Sequence, residues 1–251
     1  ELGRGAMGIV YLSQISNIPC AAKCVSLHHE TSDVNTLLQK LAYEVSIIKK
    51  LNHLNIVHIL GVSWSHTPMT PSLLFLELAQ SSISSFIRNF NPSDYVLQFL
   101  SFQILSAIAH CHVNGIVHGD IKLDNILIKC DVDTRFISVL LTDFGSAFDL
   151  SNIKETSSAF TFRYASPEVL VHHQPLSYAS DIYAFGCLGI SMYVQQEPWI
   201  GYDRYEIIAA HTRGIRPVIP DWVSPVCTDF ISKCLSPESS RPSAIDLFNH
   251  P

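Results

Sequence analysis

Seven cysteines (Cys20, Cys24, Cys111, Cys130, Cys187, Cys227 and Cys234) are scattered along the 251 residues, and none stands in the paired spacing of a zinc site. An odd number fits reduced thiols better than a disulfide framework, and most are expected to be buried small hydrophobes. Basic residues are scarce. The formal net charge of −6 argues against a nucleic-acid-binding surface. No segment is expected to approach the roughly twenty apolar residues of a membrane span. No signal peptide is legible, since the chain opens inside a glycine-rich loop without an initiating Met, as an excised domain would. Repeats and low-complexity tracts are also missing; Ser81-Ser82-Ile83-Ser84-Ser85 is short and reads as a helix cap. These absences point to a soluble, cytoplasmic chain long enough to bury a core as one or two domains.

The histidines do not supply a metal site either. His110-Cys111-His112 ends an amphipathic helix marked by Val96, Phe99, Leu100, Ile104, Ala107 and Ile108. Successive helical residues point in different directions, so shared ligation is not expected there. The same holds for His28-His29 and His172-His173.

What is present is concentrated near the middle. His118-Gly119-Asp120-Ile121-Lys122-Leu123-Asp124-Asn125 is followed by Leu141-Thr142-Asp143-Phe144-Gly145. The combination suits phosphoryl transfer. Asp120 can accept a proton from a hydroxyl nucleophile, Asn125 and Asp143 can hold magnesium, and Lys122 can neutralise charge on the moving group. Each triplet alone would be weak, because Asp-Phe-Gly arises by chance in many turns.

At the N-terminus, Gly3-Arg4-Gly5-Ala6-Met7-Gly8-Ile9-Val10 is a glycine-rich loop whose missing Cβ atoms let backbone N–H groups approach phosphates. A dinucleotide-binding loop would lead into a helix. Here Ile9-Val10-Tyr11-Leu12 and Cys20-Ala21-Ala22-Lys23-Cys24-Val25 read as two strands joined by a turn around Asn17 and Pro19, so the loop joins strands and suits a flap over ATP. Lys23 falls in an apolar setting where an unpaired ammonium is expensive, and it needs a carboxylate. A helix from about Val34 to Leu51, with Leu38, Leu41, Val45 and Ile48 at helical spacing, puts Glu44 on the side shared with Leu37, Leu41 and Ile48.

With these motifs in this order the sequence resembles a eukaryotic-type protein kinase over essentially its whole length. The resemblance implies an α+β, bilobal fold: a small antiparallel β-sheet lobe with one key helix, residues 1–79, and a larger, mainly helical lobe, residues 80–251. It implies ATP and Mg2+ as cofactors. Asp120 would be the catalytic base and Lys122 would steady the γ-phosphate. Lys23 would contact the α- and β-phosphates, positioned by Glu44, while Asn125 and Asp143 would hold the metal. The nucleotide would be covered by Leu2, Gly3, Arg4, Gly5, Ala6, Met7, Gly8 and Ile9, with adenine between Val10, Ala21 and Leu127. Leu76 would be the gatekeeper, and backbone groups of Glu77 and Ala79 would bind adenine.

The likeness extends to structural positions. Ser166-Pro167-Glu168 is similar to the family's Ala-Pro-Glu, and Glu168 is expected to form a buried ion pair with Arg241. Asp181, opening an apolar central helix through Leu188, Ile190, Met192 and Tyr193, would anchor the catalytic loop backbone. Ile48, Ile59, Phe144 and His118 would stack as a spine joining the lobes, with His118 a packed core residue. Lys122 together with Thr161 resembles serine/threonine rather than tyrosine kinases. Ser82 and Ser191 stand where relatives that prefer upstream arginine place carboxylates, so that preference is not expected.

Two positions depart from the family pattern. Gly119 replaces the arginine that usually precedes the catalytic Asp, removing the cationic receptor for an activation-loop phosphate. The segment from Asp143 to Glu168 is therefore expected to reach its working shape without phosphate on Ser151, Thr156, Ser157 or Ser158. Phe160 stands where a glycine usually precedes the substrate-loop threonine. Ile18-Pro19-Cys20-Ala21-Ala22-Lys23, Asp181-Ile182-Tyr183-Ala184-Phe185 and Gly214-Ile215-Arg216-Pro217 are similar to Mos-type kinases, although a tyrosine-kinase-like serine/threonine kinase of another branch would show much the same residues. The implied partners are a protein substrate with a Ser/Thr acceptor and regulatory segments outside the sequence, with no nucleic acid and no membrane span. A pseudokinase acting as a nucleotide-binding scaffold is the competing reading; the joint presence of Lys23, Glu44, Asp120, Asn125 and Asp143 favours the enzyme. Thr161 and Ser166-Pro167-Glu168 disfavour a small-molecule kinase.

Overall fold

The computed structural model describes residues 1–5, 8–25, 34–65, 70–131, 136–151 and 160–250. Ala6, Met7, His28, His29, Thr156, Ser157 and Ser158, all singled out above, lie outside the described residues, and of Arg4 and Gly5 only the backbone is described.

The chain begins with a short strand β1 (Gly3–Gly5) paired antiparallel with β2 (Gly8–Ile15), which turns back into β3 (Ile18–Val25). Ser16 and Asn17 close this hairpin at φ 49° and 69°. Two-residue turns with both residues left-handed match the twist of the flanking strands, and Asn tolerates that conformation. The turn expected around Asn17 and Pro19 thus involves Asn17 but not Pro19, which pairs with Gln14 inside β3. Pro19 lies just outside the stretch of β3 that pairs with β5 (Ser72–Glu77), which starts at Cys20. A residue without an N–H is tolerated where no second strand asks for one.

Between β3 and β5 come α1 (Val34–Ile48) and β4 (Ile59–Ser63). The five strands form one antiparallel sheet in the order β1-β2-β3-β5-β4. In α1 the residues Leu41, Val45 and Ile48 are buried, and Glu44 is buried with them. The 3.6-residue period that buries this stripe is what turns a carboxylate inward.

After β5 the chain leaves that sheet. β6 (Ser81–Ser82) leads into α2 (Ile83–Phe90), whose first turn is capped by the Ser82 hydroxyl accepting from the Ser85 amide. α3 (Asp94–Val113) follows, then β7 (Ile116–Val117), β8 (Ile126–Cys130), β9 (Ile137–Leu141) and β10 (Phe148–Asp149). β6, β8 and β9 make a small sheet with β8 in the centre, while β7 pairs with β10. By length and composition α3 could cross a membrane, which corrects the expectation that no segment approaches such a span. Half of its apolar window is buried inside the protein, where Leu100, Ile104, Ala107 and Ile108 are wholly enclosed. This is a core helix of the larger lobe. Phe99, expected on the buried stripe, lies beside it, 37% exposed and edge-on to Phe136.

The remaining helices are α4 (Pro167–Leu170), α5 (Tyr178–Val194), α6 (Arg204–Thr212), α7 (Pro225–Cys234) and α8 (Ala244–Leu247). α5 starts with a reciprocal Ser177–Ser180 capping box and is buried without interruption from Ser180 to Leu188. α7 packs so closely on it that a Cβ at Gly186 would stand 2.8 Å from Cys234 Cβ. The architecture is α+β and bilobal, and one hydrophobic cluster runs through both lobes, from Leu41, Ile48 and Leu74 to Leu100, Phe144 and Leu188.

Candidate active site

β3 presents Lys23 on the face it shares with Val10, Ala21 and Leu76, because cross-strand partners Val10↔Lys23 and Ala21↔Leu76 point to one side and residues two apart along a strand do too. Lys23 Nζ lies 2.7 Å from Glu44 Oε1 and 2.8 Å from Asp143 Oδ1. Burial pulls the pKa of this ammonium down, but the Glu44 and Asp143 carboxylates outweigh it and raise it above the ordinary lysine value. For Asp143 burial acts upward, and the Lys23 ammonium, helped by His118 and Lys122, holds its carboxyl below the usual range. Asp143 itself is left-handed, with φ 62°, where β9 gives way to a 3-10 turn.

The second group is built on the loop between β7 and β8. Lys122 Nζ donates to Asp120 Oδ2 at 2.7 Å and to Thr161 Oγ1 at 2.8 Å, and Thr161 Oγ1 donates to Asp120 Oδ1 at 2.5 Å. Asn125 Nδ2 donates to the Asp120 carbonyl and carboxylate at 2.8 and 3.0 Å. The loop backbone is fastened from below: the amides of His118 and Gly119 each donate to a different Asp181 oxygen at 2.9 Å, and His112 meets the same carboxylate at 3.0 Å. His118 is wholly buried, edge-on to Phe144 at 4.8 Å between ring centroids, with Nε2 3.1 Å from the Thr142 carbonyl. Ile48 belongs to the same buried cluster and Ile59 packs against it.

Leu127 lies in β8 and Leu76 ends the buried run of β5. Glu77 has two attachments that sequence reading did not anticipate. Its carboxylate accepts from the amide and ring of His58 and from Lys129 at 2.5 Å, and its own amide donates to the His58 carbonyl. That amide is spent within the protein and does not serve a ligand. Lys129, with His58, overcomes partial burial to keep the Glu77 carboxyl below its ordinary pKa. Ala79 is half-buried just beyond β5, and Leu2 and Gly3 are exposed at the edge of the sheet. Gly8, at φ 138°, adopts a conformation that suits glycine.

Thr161 entered the sequence reading as a class marker and as the substrate-loop threonine, yet it bonds both Asp120 and Lys122. Its position seven residues before Glu168 was visible; its partners were not. The His110-Cys111-His112 run is dispersed as helix geometry requires: His110 stacks on His53, Cys111 is buried, and His112 faces Asp181. Among the described residues no cluster of three or more His, Cys, Asp or Glu side chains could hold a metal ion, and all seven cysteines are free thiols.

An antiparallel sheet with one inward carboxylate helix, set against a helical lobe that carries Asp120, Asn125 and Asp143 on adjoining loops, defines a phosphotransferase of the protein kinase class. The whole chain, residues 1–251, matches the family model described as Protein kinase domain, and the chain belongs to that family. It is 33% identical over 258 residues to Mitogen-activated protein kinase kinase kinase 1 of Arabidopsis thaliana, covering 100% of the chain and 41% of that relative. It is 29% identical over 270 residues to MAP kinase kinase kinase mkh1 of Schizosaccharomyces pombe, covering 100% and 24%. Against Serine/threonine-protein kinase BCK1/SLK1/SSP31 of Saccharomyces cerevisiae it is 30% identical over 270 residues, covering 100% and 18%. The chain therefore spans less than half the length of these curated relatives.

Proposed function

We propose that this chain transfers the γ-phosphoryl group of ATP to serine or threonine hydroxyls of proteins, as a serine/threonine protein kinase in intracellular signalling. The observation that carries this reading is the joint bonding of Asp120, Lys122, Thr161 and Asn125 beside the Lys23–Glu44–Asp143 set. Asp120 accepts the proton of the attacking hydroxyl. Lys122 holds the base in place through its hydrogen bond and meets charge at the moving phosphoryl, and Lys23, held by Glu44, meets the α- and β-phosphates. Val10, Ala21, Leu76 and Leu127 supply apolar walls for adenine, the Glu77 carbonyl and Ala79 its polar contacts, and residues 2–9 the flap above the phosphates.

The donor set suits magnesium. Asn125 engages Asp120 through Nδ2 and Asp143 engages Lys23 through Oδ1, which leaves an oxygen of each for a hard cation. Bound there, the ion would neutralise charge on the phosphates. Magnesium-dependent transfer from ATP to a library of serine, threonine and tyrosine peptides tests the reading. Transfer to Ser/Thr that is lost in Asp143→Ala is expected; transfer unchanged by that substitution defeats it.

Residues 1–79 act as the small lobe and 80–251 as the large one, supported by β5 ending at Glu77 while β6 pairs into the other sheet. The names of the relatives support a place upstream in a mitogen-activated cascade, with another protein kinase as substrate. A cytoplasmic location is supported by the free thiols and by the core role of α3.

The activation segment works without a phosphate receptor at position 119. Gly119 sits at φ 75°, and a Cβ there would come within 3.1 Å of both Leu176 Cδ1 and the Ser146 carbonyl oxygen, so the neighbouring space is already filled. Alanine at Ser151, Thr156, Ser157 and Ser158 together is expected to leave turnover largely intact; near-total loss would count decisively against this.

A further inference from the structure

The substrate-side loop Phe160–Ala165 is fastened at two neighbouring points. Thr161 ties it to Asp120 and Lys122. The second fastening is made by Arg163, and it points the opposite way, toward the connection between α5 and α6. Arg163 Nη1 donates to the Trp199 carbonyl at 2.6 Å and to the Pro198 carbonyl at 3.3 Å, and Nη2 donates to the Tyr202 carbonyl at 3.0 Å. Its Nε lies 3.3 Å from Glu197 Oε2.

That connection is shaped to receive a guanidinium. Trp199 is left-handed at φ 63°, an uncommon state for a non-glycine residue, and Gly201 follows at φ 81°. The Trp199 ring is buried with Ala165, Leu170, Ile207 and Ala210, which holds the turn in place, and Phe162 packs against the same cluster. Arg204, at the start of α6, lies over the Phe162 ring at 4.5 Å. Several backbone carbonyls and a carboxylate converge on one planar fork of donors, a geometry that an ammonium with three donors on a single nitrogen cannot reproduce.

We propose that Arg163 is a positioning residue for the protein substrate: it fixes the height and tilt of the Phe160–Ala165 loop on which the peptide following the acceptor hydroxyl lies, while its own side chain is consumed by the α5–α6 connection and touches neither substrate nor nucleotide. This rests on the kinase reading above and deepens it. With the Arg163 charge engaged internally, the loop offers the substrate the exposed Phe160 ring rather than the Arg163 cation.

The test is steady-state kinetics of the full chain with a peptide selected from the serine/threonine library. Arg163→Ala is expected to raise KM for peptide about tenfold, the scale set by losing charge-assisted hydrogen bonds, with KM for ATP and kcat at saturating peptide moving by less than about threefold. Arg163→Lys restores only part of the loss, because one ammonium cannot span the fork. Unchanged peptide KM, or a fall in kcat equal to the fall in kcat/KM, overturns the proposal while leaving the kinase reading intact. Absence of transfer by the unsubstituted chain would instead sink the kinase reading. Hydrogen exchange at the 161–165 amides needs no turnover and decides the positioning role independently: faster exchange in Arg163→Ala is expected, and unchanged exchange refutes it. If Arg163→Ala fails to fold, Glu197→Gln, which alters only an exposed partner, is expected to raise peptide KM about twofold, and no change in KM or loop exchange would overturn the inference.

Discussion

Lys50, just past the end of α1, lies with its Nζ 2.5 Å from Oδ2 of Asp149 in β10, a residue ninety-nine positions further along the chain. Asp149 also accepts from the amide and hydroxyl of Ser151, and its own amide donates to the Tyr43 hydroxyl oxygen of α1 at 3.2 Å. The helix that carries Glu44 and the strand that follows Asp143 are thereby joined behind the site.

This link has a defined pH dependence. The Lys50 ammonium, then Ser151, hold the Asp149 carboxyl down at about 2 from its ordinary 3.8. Because the folded value lies below the unfolded one, the stabilisation is present above roughly pH 4 and is lost as pH falls toward the folded value. Asp149→Asn is expected to cost about 1 kcal/mol at neutral pH, with the difference from the parent chain shrinking between roughly pH 4 and 2. Urea unfolding at a series of pH values measures it; a difference that grows on acidification would be the wrong sign.

Glu168 and Arg241 form a two-pronged pair at 2.5 and 3.2 Å, and Arg241 also donates to the Ala179 and Ser236 carbonyls while lying over the Tyr183 ring at 5.1 Å. Both side chains are buried. Glu168→Gln or Arg241→Met is expected to destabilise the fold by about 3–5 kcal/mol, since either change strands the other partner. Thermal unfolding and a double-mutant cycle give the number, and a loss below about 1 kcal/mol would contradict a buried, coupled pair.

Thr161 joins Asp120 to Lys122 through one hydroxyl. Thr161→Ala is expected to lower kcat about 10- to 100-fold by loosening Asp120, with KM for ATP little altered, and Thr161→Ser should recover most of the activity because only the methyl is removed. Single-turnover phosphotransfer distinguishes this from slow product release. Equal activity of the alanine and serine variants would deny the hydroxyl any part.

Gly119→Ala meets both a left-handed backbone and two neighbours at 3.1 Å. A stability loss of roughly 1–2 kcal/mol is expected from backbone strain, measured by denaturant titration; a neutral outcome would show that the loop re-packs around position 119.

Much of the site could be read from residue order alone. The glycine-rich hairpin, the inward face of α1 and the run from His118 to Asn125 are local patterns: alternation along strands, a 3.6-residue period in a helix, and side-chain types whose chemistry is inseparable from their identity. The Lys23–Glu44 pairing was also foreseeable, because a charge in an apolar run needs a partner, whereas the Glu168–Arg241 pairing was implied by the resemblance to protein kinases. Pro19 and Phe99 were misplaced for a reason equally local. Propensity marks a turn or an apolar face, but whether a second strand reaches Pro19, or a neighbour covers Phe99, depends on packing.

The sequence by itself determined the inward Lys and Glu and the acidic and amide groups of the runs 118–125 and 141–145, since these follow from side-chain chemistry and short-range periodicity, and the order of those motifs implied the two-lobed class through their resemblance to protein kinases. Only the tertiary structure decided that Lys50 reaches Asp149, that His58 and Lys129 hold Glu77, and that Arg163 is received by the carbonyls of Pro198, Trp199 and Tyr202. Those contacts join segments far apart in the chain, and backbone carbonyls carry no residue identity. Their direction is set by left-handed turns at Trp199 and Gly201, beside the buried cluster that holds the Trp199 ring.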